Sequence, residues 1–197
     1  MSKASGVLST FGRFLTYILV VLLVLGFAGM VAYFVLRSQG VTYYVEYNGE
    51  RYLANGDGGR LELFSGEIHD FTVKSLVGDE VNFDVVVQSN SANNFSFTYN
   101  GSFYQFYSTT DEDNDYSAVF GLQKDSDGFS LMFPDDFTVE QAVEEKFGGD
   151  VSFDDELEND KAYFVIIVLS GESTVHLWFT LNCRVAEITL DPPQIVF

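Results

Sequence analysis

The pattern of apolar and polar positions changes character once along the chain. Residues 14–36 read FLTYILVVLLVLGFAGMVAYFVL, a run without a single charge. As a helix it is about 34 Å long, enough to cross a hydrocarbon core of about 30 Å. Beyond it come short alternating or uniformly apolar runs, cut by Gly, Asn, Asp and Ser, the spelling of β-strands and turns. The expected division is a short tail over 1–13, a transmembrane helix over 14–36, a joint over 37–40 and a β domain over 41–197.

Within the β domain the turns predict register. Asn48-Gly49 sits between strand formers, and a two-residue type I′ loop there sets Tyr47 opposite Glu50, Glu46 opposite Arg51, Val45 opposite Tyr52 and Tyr44 opposite Leu53. The same Tyr-Asn-Gly-x-x-Tyr spelling recurs at 99–104 and sets Phe97 against Tyr104 and Phe95 against Phe106. A loop at Gly171-Glu172 pairs Val168 with Val175, Ile166 with Leu177 and Phe164 with Phe179 on a core face. The other face then pairs Ile167 with His176 and Val165 with Trp178. Residues 162–169 are apolar on both faces and read as a central strand.

Further strands are expected at 60–64, at 68–76 and across the alternation Val81, Phe83, Val85, Val87. Residues 116–123 and 129–133 read as a hairpin around 125–128, and 185–190 as a last strand before Pro192-Pro193. One short helix is expected over 139–147, with Thr138 and Gln141 at capping-box spacing and Gly148-Gly149 as its stop. A short extended piece is expected in the acidic stretch 150–161. The sum is a mainly β domain, an antiparallel β-sandwich or open barrel with one short helix, preceded by a single N-terminal transmembrane helix.

Charge adds a constraint. All 29 acidic residues lie after residue 37 with only seven basic ones, so the domain carries a net −22. Such a surface repels nucleic acid and anionic headgroups, and it favours a basic or aromatic partner face. Lys3 and Arg13 precede the apolar run and Arg37 follows it. That small excess places the tail in the cytoplasm and the domain outside. Gly26-Phe27-Ala28 offers small residues for signal cleavage, but the run continues to Leu36 and so reads as an uncleaved signal anchor. Gly26, Ala28, Gly29 and Ala32 form a stripe of small residues on which a second transmembrane helix could pack.

Candidate chemistry is sparse. Asp111, Asp113 and Asp115 have the 1-3-5 spacing that lets carboxylates converge on Ca2+, and Asp125 and Asp127 stand ready to add ligands from a neighbouring loop. The EF-hand pattern fails where Tyr116 and Leu122 stand. No hydrolase, zinc or phosphate-loop signature occurs. His69 is expected to be exposed at the start of its strand, His176 to lie on an outer face, and Cys183, the lone cysteine, to be a small apolar residue. Trp178, Tyr104 and Tyr43 either pack or form a stacking surface.

The reading is of a membrane-anchored extracytoplasmic domain, a binding or structural component of a cell-envelope assembly. Its partners are the lipid bilayer and another membrane or envelope protein, not nucleic acid. The alternatives are a surface hydrolase using paired carboxylates and a calcium-stabilised surface module.

Overall fold

The structure is a computed structural model and describes residues 4–38, 42–76, 78, 80–90, 95–106 and 114–182, with 4–13 and 36–38 described by backbone alone. Helix α1 runs Ala4–Ser38. It is long and apolar enough to cross a membrane over Phe14–Val35, and none of that stretch is buried. The helix begins within the expected tail and takes in Arg37 and Ser38 of the expected joint. No proline interrupts residues 4–13, so nothing there stops a helix that the apolar run sustains.

The β domain contains strands β1 (Tyr43–Tyr47), β2 (Glu50–Leu53), β3 (Gly59–Phe64), β4 (Ile68–Ser75), β5 (Asp84–Ser89), β6 (Ser96–Tyr99), β7 (Ser102–Gln105), β8 (Gln123–Lys124) and β9 (Gly128–Met132). Helix α2 (Val139–Phe147) follows, then β10 (Val151–Phe153), β11 (Phe164–Ser170) and β12 (Ser173–Asn182). These form a five-stranded sheet in the order β2-β1-β4-β9-β8, a four-stranded sheet β3-β12-β11-β5 and a three-stranded sheet β10-β6-β7. None of the three is closed into a barrel. Pairing is antiparallel except between β3 and β12, which run parallel.

The turn-derived registers hold. Glu46 faces Arg51, Phe97 faces Tyr104 and Phe164 faces Phe179, each within the full pairing expected. Both Asn-Gly loops have the positive φ of a type I′ turn, Asn48 and Asn100 at 49° and 48°, Gly49 and Gly101 at 82° and 77°. The β11 strand is central, flanked by β12 and β5. Helix α2 spans the predicted residues. The Thr138 hydroxyl accepts from the Gln141 amide at 3.2 Å, and the Gln141 side chain accepts from the Thr138 amide at 2.9 Å. Gly148, at φ 64°, closes the helix by donating to Glu144.

Two expectations fail. Residues 117–121 are turns and 116–122 contain no strand, which leaves β8 only two residues long. Tyr116, Val119 and Phe120 all point into the core. Their spacing of three and four fits a helical turn, and a period-2 strand would put Val119 on the face opposite Tyr116 and Phe120. Phe120 donates its amide back to Tyr116, and Gly121, at φ 56°, releases the chain. Second, His69 is buried. Of the two readings open for Tyr43, packing holds: it lies in the core. The strand expected at 185–190, Pro192-Pro193 and Cys183 lie outside the described residues.

One buried cluster draws side chains from all three sheets and α2. Phe120 stands at its middle, edge-on to Phe133, Phe137, Phe164 and Phe179 at 4.8–5.9 Å between ring centres. Tyr43 ties the sheets together by donating its hydroxyl to the Val168 carbonyl at 2.7 Å. That buried phenol is pushed up to about 12 by desolvation.

Candidate functional site

The outer face of the five-stranded sheet is the best candidate. Strand parity puts Tyr44 and Glu46 of β1, Arg51 and Leu53 of β2, Ile68, Asp70, Thr72 and Lys74 of β4, and Ser130 and Met132 of β9 on that face. At its β1–β2 edge, Glu46 lies between Arg51 at 3.1 Å and Lys74 at 3.2 Å. The Arg51 guanidinium also rests over the Tyr44 ring at 5.1 Å. Hydrogen bonds first from Lys74 and then from Arg51 hold the Glu46 carboxyl below its ordinary range. A general acid needs the opposite shift, so this carboxylate does not suit that one role of a glycosidase pair.

Of the five aspartates singled out for calcium, two meet. Asp125 and Asp127 line a shallow cleft of about 220 Å³ together with Asp70, Thr72 and Ser130. Their turn is self-satisfied, with the Asp127 amide donating to the Asp125 carboxylate at 3.1 Å. Gly128 then brings β9 flush against β4, where a Cβ would stand 2.1 Å from the Phe71 carbonyl oxygen. Asp115 is elsewhere, bridged to Gln88 and accepting from the Ser117 amide at 2.8 Å. Asp111 and Asp113 lie outside the described residues. Among the described residues no group of three or more His, Cys, Asp or Glu side chains is arranged to hold a metal ion.

A second cleft, of about 210 Å³, opens between the edge strands β2 and β3, lined by Tyr47, Glu50, Tyr52, Arg60 and Glu62. Tyr52 lies flat against Gly59, where a Cβ would come within 2.1 Å of its ring. It donates its hydroxyl to Glu50 at 2.7 Å. Burial, and next that hydrogen bond, push Tyr52 up to about 12. Arg60 is held by the Asp160 carbonyl at 2.7 Å.

His69 is the polar residue that sequence reasoning misplaced. It is 3% exposed. Nε2 lies 2.8 Å from the Phe64 carbonyl, which can only accept, so Nε2 carries the proton. Nδ1 lies 2.9 Å from the Tyr47 hydroxyl, its hydrogen-bond partner. The signal was available in the parity of β4, since His69 shares the inward face with Phe71 and Val73.

The remaining residues do not converge. His176 is exposed on the outer face of its strand, as expected. Trp178 is half-buried on β12 and Tyr104 stacks on Phe97 at 5.6 Å. With Tyr43 in the core, the three make no common stacking surface. On α1, Gly26, Ala28, Gly29 and Ala32 are exposed, and a Cβ at either glycine would meet no atom within 4 Å. No family model, no curated protein and no solved structure matches this chain.

Proposed function

We propose that the chain is a single-pass membrane protein, tail in the cytoplasm and β domain outside, and that the domain is a binding or structural component of a cell-envelope assembly. The observation that carries this reading is the apolar stretch Phe14–Val35, unburied along its whole length and joined within a few residues to an acidic β domain. An unburied helix of that length and hydropathy needs a solvent other than water. The orientation is supported by Lys3 and Arg13 on one flank against Arg37 on the other. The domain is a sandwich in this reading, with its two larger sheets meeting over the shared cluster and bridged by the Tyr43 hydroxyl. That arrangement leaves the outer face of the five-stranded sheet for contacts.

The test uses Ser126→Cys, on the exposed turn between β8 and β9, in a Cys183→Ser background. A membrane-impermeant maleimide should label this cysteine fully in intact cells. Labelling only after permeabilisation would place the domain inside and overturn the reading.

A further inference from the structure

We infer that the far end of the outer face of the five-stranded sheet, around Ile68 and Met132, docks a protein segment that presents apolar side chains flanked by Lys or Arg. The inference rests on the reading of the domain as a tethered binding component and names the surface and the chemistry of its partner. Ile68 and Met132 are cross-strand partners on β4 and β9, so their side chains share a face. They are 63% and 55% exposed, on a sheet whose inward face is thoroughly buried.

The pair is set away from the point where the chain enters the domain. The chain reaches the domain at Thr42, whose carbonyl accepts from Leu76, and Tyr43 pairs with Ser75. Ile68 lies seven residues back along β4, about 24 Å from that point. The pair therefore sits at the end of the sheet remote from the tether.

Charge selects the partner. Asp70 follows Ile68 on the same face. Asp135 lies against Gly66, whose amide donates to Phe133 beside Met132. The sequence contains no Lys or Arg over residues 61–73 or 125–145, so no base of these two segments offsets the acidic rim. A second copy would bring the same rim and the same −22 domain against itself. A segment with apolar knobs and basic flanks matches both features, the rim setting specificity and encounter rate.

The experiment places a photoreactive phenylalanine at Ile68 or at Met132 in the full chain in its own membrane. Phe103 on β7, 64% exposed, is the reference site. Adducts are identified by mass spectrometry. Positions 68 and 132 should capture one common protein segment with Lys or Arg beside apolar residues, about fivefold above the reference, as expected if a localised patch carries the binding. The yield should fall about threefold with Asp70→Asn plus Asp135→Asn, and again in about 0.5 M salt. Adducts to lipid, to a second copy or to a segment without basic residues would overturn the inference, as would yields equal to the reference. The maleimide test at Ser126→Cys decides the tether reading separately, so the two can fail independently.

Discussion

The hairpins at 47–52 and 99–104 share one spelling and one turn geometry, yet different chemistry holds them in place. In the first, tyrosine hydroxyls reach buried polar atoms: Tyr43 donates to Val168 across the sheets, and Tyr47 pairs with His69. Its outer positions Glu46 and Arg51 form an ion pair. In the second, the equivalent outer positions hold Thr98 and Phe103, and the inner side chains pack ring against ring. Phe97 touches Phe95, Tyr104, Phe147 and Phe153 with ring centres 5.0–6.4 Å apart. The turn decides register, and the layer that the hairpin meets decides what stabilises it. The first hairpin meets a sheet with polar acceptors within reach, and the second meets α2 through Phe147.

The largest way to break this contrast is Phe97→Ala. The ring is fully buried and central to the second hairpin. Its loss should cost about 3–5 kcal/mol in chemical denaturation of the full chain in detergent, through lost transfer energy and the cavity left behind. A cost below about 1 kcal/mol would mean that the cluster repacks and that rings do not anchor this hairpin.

Next comes Tyr43→Phe, which keeps the ring and removes the hydroxyl. The expected cost is about 1.5 kcal/mol at pH 8, since a buried carbonyl loses its donor. The alkaline limb carries a second readout. The unfolded phenol ionises near its ordinary value of about 10, and in the fold it is pushed up to about 12. A group raised in the fold contributes fully below the unfolded value and loses that contribution as pH climbs through the folded one. Wild type should therefore lose stability between about pH 10 and 12, and the variant should lose less. Some loss persists in the variant because Tyr52 is raised in the same direction.

Legibility in the sequence followed the range of each contact. Asn48-Gly49, Asn100-Gly101 and Gly171-Glu172 determine their registers locally, because a two-residue loop leaves one pairing open. Thr138, Gln141 and Gly148 bound α2 by the same kind of local chemistry. The parallel pairing of Leu61 with Phe179 joins residues far apart in the chain, and no turn announces it. The same holds for β4 beside β9, which creates both the Asp70–Asp125–Asp127 cleft and the Ile68–Met132 pair. The turn at 125–128 was readable, whereas its acidic neighbour across the sheet was not. Residues 116–122 misled because their β-forming composition conceals a spacing of three and four.

Smaller effects sharpen the comparison by asking whether the two turns are interchangeable. Gly49→Ala and Gly101→Ala each force a Cβ onto a residue at φ 82° or 77°. At neither glycine would that Cβ meet an atom within 4 Å. Only backbone strain is left, and each should cost about 1 kcal/mol. Equal costs in thermal or chemical melts confirm that the turns act alone. A clear difference would show that the surrounding layer reaches into the loop itself.

Glu46→Gln should have the smallest effect. Exposed ion pairs gain little because water and salt screen them and two long side chains must be ordered. The sign of its pH dependence is still fixed. Glu46 is held below its ordinary value, chiefly by Lys74 and then by Arg51. Its contribution is therefore present above the unfolded pKa and lost as pH falls through the lower folded one. Melts of wild type and variant should differ slightly near neutrality, and the gap should close both on acidification and in high salt. If Glu46→Gln instead destabilised the chain as much as Phe97→Ala, the ion pair would be a structural anchor. The first hairpin would then owe its position to its outer face rather than to the hydroxyls of Tyr43 and Tyr47.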